Sequence, residues 1–139
     1  MAESLFIQYL QTQGYEHQTW LVASAGCWAF PDQPATKNAI QTVENLGCDL
    51  YLHSSQAVSE NLLQKFNLIL CMEAEHKFFI RRNFPEMAEK VFQFSEMIGK
   101  EYDVDDPIGS SLENYAETAQ ELRSIMVSGF KKILKLSIY

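Results

Sequence analysis

The sequence predicts an α/β fold of three layers, with helices on both faces of a short parallel, Rossmann-like sheet. Short apolar runs alternate with amphipathic helical patterns along the chain, which is typical of strand–helix units. The run NLILCM at 67–72 is almost continuously apolar, as in a parallel strand buried on both faces. With 139 residues and no linker, repeat or low-complexity segment, the chain is expected to form one domain over 1–139.

The first third of the chain predicts a helix, a strand and a second helix. The stretch MAESLFIQYL at 1–10 places apolar residues on one helical face. The stretch TWLVASAG at 19–26 is rich in strand-forming residues and stops at a glycine. Residues 36–46 return to helical spacing, with Thr36 as a suitable N-cap and Gly47 as the stop signal.

The middle of the chain alternates between helix and strand. Ser59 can cap a short helix ahead of the strand predicted at 67–72. The pattern from 73 to 84 is helical and ends at Pro85, which cannot continue a helix. The stretch KVFQF at 90–94 then predicts another strand.

The last part of the chain predicts one long helix. It is expected to begin near Ser110 or Ser111, since Ser110 and Glu113 have the spacing of a capping box. The side chains of its predicted inner face share helical spacing and are Tyr115, Ala119, Leu122, Met126, Phe130 and Ile133.

Charge and composition exclude several classes of function. The net charge is −7 and no Lys/Arg-rich block stands out, which argues against binding to nucleic acid. No apolar run approaches the roughly 20 residues that span a bilayer, and no signal peptide is apparent at the N-terminus. The three cysteines are odd in number and widely spaced, so reduced thiols and a cytoplasmic location are expected.

The loop DVDDPIGSS at 103–111 is the most informative place for chemistry. It lies where a parallel α/β sheet binds ligands, beyond the carboxyl end of a strand. Pro107 restricts Asp106 to an extended backbone, and a carboxylate presented in this way can act as a general acid. The alternative is that Asp105 and Asp106 only form a solvated turn before a helix.

The cysteines and histidines do not form a known nucleophile or metal motif. A phosphate-binding loop of the Cys-x5-Arg type needs arginine six residues after the cysteine. Cys27, Cys48 and Cys71 are followed at that distance by Gln33, Ser54 and Lys77. The scattered histidines, which are His17, His53 and His76, lack further ligands at zinc-site spacing. No metal and no cofactor are therefore expected.

In combination, these segments resemble the low-molecular-weight protein-tyrosine-phosphatase family, especially its bacterial protein-arginine-phosphatase branch. The resemblance runs from Met1 almost to the C-terminus and depends on the order and spacing of short segments. Those segments are MAESLF at 1–6, SAG at 24–26, PATKNAI at 34–40, His53 with SSQAVSENLL at 54–63, LILCM with EHK within 68–77, and DPIGSSLENYAETAQEL at 106–122.

The resemblance implies a phosphatase reaction in two steps. In the family, a cysteine thiolate attacks phosphorus while the Asp-Pro aspartate protonates the leaving group, and water then hydrolyses the phosphocysteine. By position, Asp106 with Pro107 is that acid and base, and Ser24 and His53 match residues that support the nucleophile loop. Ile108 stands where an aromatic residue usually follows Asp-Pro. The implied substrates are phosphorylated proteins or small phosphate esters.

Two parts of the family pattern have no counterpart in the 139 residues. These are the first, central strand and the Cys-x5-Arg-Ser-Pro loop, which in the family lead into a helix that begins much like MAESLF. The chain is therefore expected to be N-terminally truncated, to hold no nucleophile cysteine and to lack phosphatase turnover. Absence of a central strand leaves strand edges unpaired, so we expect marginal stability, direct pairing of the flanking strands, or self-association that covers these edges.

Two alternative functions are compatible with the same fold. Arsenate reductase shares the fold but passes oxidation through additional cysteines, and Cys27 and Cys48 lie far apart without a redox motif. The other alternative is a non-catalytic binding or assembly module. The coding sequence upstream of Met1 would discriminate, because an in-frame Cys-x5-Arg-Ser-Pro favours a lost active site and an in-frame stop favours a pseudoenzyme.

Overall fold

The computed structural model describes residues 1–15 and 20–138. These residues form five α-helices, two 3-10 helices and a two-stranded parallel sheet. In chain order the elements are α1 (Ala2–Thr12), α2 (Lys37–Asn45), α3 (Glu60–Leu63), β1 (Ile69–Cys71), α4 (Ala74–Asn83), the 3-10 helix Pro85–Lys90, β2 (Val91–Gln93), the 3-10 helix Phe94–Ile98, and α5 (Leu112–Ser137). The prediction of an α/β fold with a short parallel sheet is confirmed.

The chain divides into two compact units. The first unit contains Met1–Ala57 and Asp106–Arg123, and the second contains Val58–Asp105 and the chain from Ser124 onward. The helix α5 belongs to both units, since its first half lies in one and its second half in the other.

The first unit is built on α1, α2 and the start of α5. The Thr36 hydroxyl accepts a hydrogen bond from the Ala39 backbone N–H (3.3 Å) and donates one to the Tyr115 hydroxyl (3.0 Å). It thus caps α2, as predicted, and ties that helix to α5. Gly47 has a φ of 84°, the left-handed conformation that suits glycine after a helix. The buried core residues of this unit are Leu5, Leu10, Ala39, Val43, Leu50, Tyr115, Ala119 and Leu122.

The second unit contains the sheet and α4. Strand β1 pairs with β2 in parallel, with Ile69 opposite Val91 and Cys71 opposite Gln93. The Asp103 carboxylate accepts hydrogen bonds from the Ala74 backbone N–H (2.9 Å), at the start of α4, and from the Gln93 side-chain amide (2.7 Å). The buried residues of this unit include Leu63, Cys71, Ile80, Met87, Val91, Phe94, Met97, Ile125, Met126, Phe130 and Ile133.

The long C-terminal helix confirms the predicted inner face and corrects its predicted cap. All six side chains assigned to the inner face of α5 are buried. The N-cap is Ser111, whose hydroxyl accepts a hydrogen bond from the Asn114 backbone N–H (3.2 Å). Ser110 instead donates its hydroxyl hydrogen bond to the Pro107 carbonyl and closes the turn before the helix.

Two strand predictions need correction. The strand predicted at 19–26 is not formed over 20–25, and only Gly26 makes an isolated parallel bridge, with Ala57; residue 19 lies outside the described residues. A strand exists only when its peptide groups have a neighbouring strand to pair with, and strand-forming side chains do not supply one. The strand predicted at 67–72 is shorter, Ile69–Cys71, with Ile69 and Leu70 only half-buried.

Candidate active site

The N-terminus of α1 is the centre of the candidate site. Ser4 and Leu5 direct their hydroxyl and backbone N–H to the Met1 carbonyl, at 2.9 and 3.0 Å, and so close the first turn. Glu3 lies in this turn, where the helix dipole favours a carboxylate. The first turn of an α-helix also presents backbone N–H groups without intrahelical partners, which suit a bound anion.

Glu3 connects two of the residues that the sequence predicted. Its carboxylate accepts a hydrogen bond of 2.5 Å from the Ser24 hydroxyl and lies 3.8 Å from Nδ1 of His53. The side chains of Glu3 and His53 are each 26% exposed, so solvent reaches the group. Ser24 and His53 are therefore brought together by a third residue that the sequence reasoning missed.

Residue 56 holds the Ser24 segment in place. The Gln56 side-chain amide donates to the Ser24 carbonyl (2.9 Å), and the Gly26 backbone N–H donates to the Gln56 carbonyl (3.0 Å). This pairing continues into the bridge between Gly26 and Ala57. The backbone on either side of Ser24 is thus fixed by the segment that follows His53.

The Asp-Pro loop is organised by its own hydrogen bonds. The Asp106 carboxylate accepts the Ile108 backbone N–H (3.0 Å), and the Ser110 N–H donates to the Pro107 carbonyl (2.9 Å). The Asn38 side chain of α2 donates to the Ser110 carbonyl (3.1 Å) and anchors the loop. Asp106 is exposed and Ile108 is 66% exposed, so this loop presents an accessible carboxylate beside an apolar side chain.

The α-amino group of Met1 lies at the start of α1. Burial lowers the pKa of the Met1 α-amino group, and the negative charges of Glu3 and Asp106 act in the opposite direction. The charges of Glu3 and Asp106 thus both favour the protonated form of this amino group. Helix N–H groups can bind a phosphate anion, and a carboxylic acid can protonate the leaving group of its ester.

The surroundings of Cys48 and Cys71 affect the reactivity of their thiols. Cys48 donates a weak hydrogen bond from Sγ to the Ser4 carbonyl at 3.7 Å. Burial raises the pKa of the Cys48 thiol, which outweighs the opposing effects of Arg123 and the Met1 amino group. Cys71 lies buried in β1, within the other unit. A thiol with a raised pKa is a poor nucleophile at neutral pH, because the thiolate is the reactive form.

The structure separates the predicted site residues into two groups within one unit. Ser24 and His53 meet at Glu3, while Pro107 and Ile108 form the loop that carries Asp106. In the sequence, Glu3 is marked only by its position in the first turn of the helix predicted at 1–10. Among the described residues, no cluster of three or more His, Cys, Asp or Glu side chains could hold a metal ion. His17 lies outside the described residues.

Comparison with known protein families identifies the fold family. Residues 1–136 match the sequence profile of the low molecular weight phosphotyrosine protein phosphatases. The chain belongs to this family. The chain is 32% identical to a protein-arginine-phosphatase of Bacillus subtilis (strain 168) over 136 residues, which cover 97% of this chain and 88% of the relative.

Solved structures of the phosphatase family agree with this assignment. A YwlE mutant from Bacillus subtilis superposes with a TM-score of 0.87 at 32% identity, covering 96% of this chain and 88% of that one. A low molecular weight protein tyrosine phosphatase from T. tengcongensis gives the same TM-score, 0.87, and the same identity, 32%, over 94% and 88% of the two chains. In the described part of this family member, no helix is long and apolar enough to cross a membrane.

Proposed function

We propose that this chain carries the acid–base half of a phosphatase active site that hydrolyses phosphate from phosphorylated proteins in the cytoplasm. Asp106 protonates the leaving group in the first step and activates water in the second, as the family's Asp-Pro aspartate does. The observation that carries the proposal is that Asp106 belongs to the same unit of a phosphatase-family chain as Glu3, Ser24 and His53, which meet at the first turn of α1.

The proposal assigns the role of nucleophile to none of the three cysteines of the chain. Within the 139 residues no cysteine is followed by arginine six positions later, so Cys27, Cys48 and Cys71 are not nucleophiles. The raised pKa of Cys48 and the burial of Cys71 in a strand support this assignment. Residues 1–139 alone therefore have no phosphatase turnover.

The experiment compares two forms of the protein on an aryl phosphate and on a phosphoarginine peptide. One form is the 139-residue chain, and the other is the same chain preceded by a strand and a Cys-x5-Arg-Ser-Pro loop. We expect turnover only from the extended form, with a phosphocysteine trapped on rapid acid quench. Turnover by the 139-residue chain, abolished by a substitution at one of its own cysteines, would overturn the assignment of the nucleophile.

The role of Asp106 is tested in the extended form by Asp106→Asn. We expect kcat to fall by about 10²–10⁴-fold, because general acid catalysis contributes a factor of that size, while KM changes little. Asp105→Asn is the matched control, since it removes the same charge one residue away and should leave kcat within about twofold, as a surface charge acts weakly through solvent. Equal losses in the two variants would show that only loop charge matters.

Ile108 provides a test of substrate class. An exposed aliphatic side chain after Asp-Pro offers no ring for stacking on an aryl phosphate. We propose that Ile108→Phe in the extended form raises kcat/KM for the aryl phosphate by about tenfold, the effect of one aromatic contact. Phosphoarginine, which has no aromatic ring, serves as the control substrate and should gain much less. A gain of the same size on both substrates would contradict this role.

A further inference from the structure

Two surface loops of the first unit, residues 30–34 and 51–56, are joined by hydrogen bonds around one serine, and we call them the paired loops. The Asp32 backbone N–H donates to the Ser55 carbonyl (2.8 Å), and the Ser55 N–H donates to the Gln33 carbonyl (2.8 Å). The Ser55 hydroxyl also accepts a hydrogen bond from the Gln33 N–H (2.9 Å). Ser55 thus fixes one loop against the other.

The paired loops adjoin the candidate active site. His53 belongs to the second loop, and its Nδ1 lies 3.8 Å from the Glu3 carboxylate. At the end of the same loop, the Gln56 side-chain amide donates to the Ser24 carbonyl (2.9 Å). A surface on these loops is therefore continuous with the residues that meet at the first turn of α1.

The paired loops expose large apolar side chains to solvent. Phe30 is 81% exposed, Tyr51 74% and Leu52 97%. The backbone of Phe30 is nevertheless held in place, because its carbonyl accepts a hydrogen bond from the Ser55 hydroxyl. Exposed apolar side chains that are grouped on a fixed backbone beside a site are typical of a surface that contacts another protein.

The charge of the first unit selects the partner. Asp and Glu number nine in this unit against two Lys and Arg, whereas the second unit has nine of each kind. The whole net charge of −7 therefore belongs to the unit that contains the candidate site. A side chain such as phosphotyrosine carries a charge of about −1.5 to −2 at pH 7. This unit consequently repels a phosphorylated segment unless Lys or Arg residues of that segment compensate.

We propose that the paired loops bind the residues on either side of the phosphate in a phosphorylated protein whose flanking residues are apolar and basic. The apolar residues contact Phe30 and Leu52, and the basic residues are attracted by the exposed carboxylate of Asp32 and by the negative first unit. The inference rests on the proposed function, because it names the class of protein substrate for the same site.

Binding of peptides to the 139-residue chain tests this preference, because that chain contains both loops. Two fluorescent phosphotyrosine peptides share their apolar flanking residues and differ only in carrying Lys or Glu at the other positions. By fluorescence anisotropy at low salt, we expect the Lys peptide to bind at least about tenfold more tightly, and the ratio should fall as added salt screens the charges. Equal affinities, or a ratio that salt does not change, would overturn the proposal.

Three serine substitutions locate the apolar contact. Phe30→Ser and Leu52→Ser should each raise the Kd of the Lys peptide by about tenfold, since each removes an apolar side chain that the peptide covers. Phe78→Ser is the matched control, because Phe78 is an aromatic side chain of the second unit that is 64% exposed, and it should leave the Kd unchanged. Circular dichroism verifies that each variant is folded. Unchanged Kd values in folded Phe30→Ser and Leu52→Ser would refute contact through the paired loops.

Asp32→Asn tests the local part of the charge preference. Asparagine tolerates the left-handed backbone of residue 32, whose φ is 61°. We expect this variant to reduce the ratio of the two peptide affinities by about threefold, the effect of one exposed charge pair. Glu89→Gln removes an exposed carboxylate from the second unit and should leave the ratio unchanged. Equal effects of the two substitutions would contradict a role for Asp32.

Turnover of the same two peptides by the extended form separates this inference from the proposed function. We expect kcat/KM to favour the Lys peptide, as the Kd does. Turnover without a preference between the peptides would contradict the substrate class alone. Selective binding of the Lys peptide without turnover by the extended form would contradict the proposed function and leave the recognition surface supported.

Discussion

Packing around one glycine of α5 decides whether its replacement by alanine raises or lowers the free energy of unfolding. A Cβ atom on Gly129 would lie 2.8 Å from Cβ and 3.0 Å from the carbonyl oxygen of Met97, a close approach to backbone that cannot move cheaply. In an open helix position, Gly→Ala stabilises by about 0.5–1 kcal/mol. We expect Gly129→Ala to lower the free energy of unfolding by about 1–2 kcal/mol instead, since overpacking exceeds the gain in propensity.

Ser128→Ala is the matched control for this prediction, because residue 128 is exposed on the same helix. It should raise the free energy of unfolding by a few tenths of a kcal/mol, roughly the difference in helix propensity. Urea denaturation of both variants gives the comparison. If Gly129→Ala proves as stable as the parent chain, the contact with Met97 is looser than its distances imply.

At the residue scale, the sequence singled out candidate residues but not the contacts between them. Asp106 could be singled out because Pro107 restricts its backbone and the surrounding loop lies beyond a strand. Ser24 and His53 came only from the resemblance, and their shared partner Glu3 was not found, since a glutamate in a first helical turn is common for dipole reasons alone. Contacts between residues far apart in sequence require the fold to be known.

At the scale of elements, an ion pair joins α4 to the 3-10 helix that follows β2. Lys77 Nζ lies 2.8 Å from the Glu96 carboxylate, and both side chains are 19% exposed. The same carboxylate accepts the Gln93 backbone N–H at 2.6 Å and so completes a capping box. Burial raises the pKa of Glu96, but the hydrogen bonds from Lys77 and Gln93 and the charges of Lys77 and Arg81 outweigh it and hold the pKa below its usual value.

The lowered pKa of Glu96 predicts the direction in which the free energy of unfolding changes with pH. Because the folded pKa lies below the unfolded value of about 4.3, the ionised Glu96 stabilises fully above that value and progressively less as pH falls through the folded pKa. Glu96→Gln should lower the free energy of unfolding by about 1 kcal/mol at pH 7. The neutral amide can keep part of the hydrogen bonding, but hydrogen bonds to a charged group are stronger. The gap to the parent chain should narrow as the pH falls through the folded pKa.

Urea unfolding at several pH values between neutrality and pH 3 measures this gap. Glu89→Gln, an exposed glutamate in the 3-10 helix Pro85–Lys90, is the control and should track the parent chain. A constant gap across the whole pH range would mean that the Glu96 charge does not contribute and that only its hydrogen-bonding geometry does.

The helices and the two strands of the sheet were predictable in place from local signals, whereas the outcome at 19–26 was not. Thr36 and Gly47 bracket α2, and Pro85 follows α4 by two residues, so side chains near each end fix the boundaries. The stretch at 19–26 has equally strong strand propensity, yet over 20–25 it remains irregular. Strand formation depends on a hydrogen-bonding neighbour elsewhere in the chain, and propensity alone cannot say whether that neighbour is present.

For the whole molecule, α5 is the element that both compact units share. Its 26 residues contribute Tyr115, Ala119 and Leu122 to the first unit, and Ile125, Met126, Phe130 and Ile133 to the second. Helix formation is cooperative along one hydrogen-bonded segment, so melting of either half removes support from the other. We infer that the two units do not unfold independently.

The two tryptophans make this cooperativity measurable. Trp20 and Trp28 both lie in the first unit, so fluorescence reports on that unit, whereas hydrogen exchange in β1 and β2 reports on the second. In urea we expect the fluorescence transition, the far-ultraviolet circular dichroism transition and the loss of exchange protection in the strands to coincide. Separate midpoints would show that the units are thermodynamically independent.

A proline substitution in the middle of α5 tests whether this helix couples the unfolding of the two units. Ser124 is exposed and is the first residue of the second unit along α5. Ser124→Pro removes an intrahelical hydrogen bond and clashes with the preceding turn, which costs about 3 kcal/mol, whereas Ser124→Ala keeps the helix intact. Because α5 is part of both units, the free energy of unfolding should fall by the same amount in the proline variant whether tryptophan fluorescence or strand protection reports it. A loss confined to one probe would mean that the break at residue 124 is absorbed locally and that α5 does not couple the units.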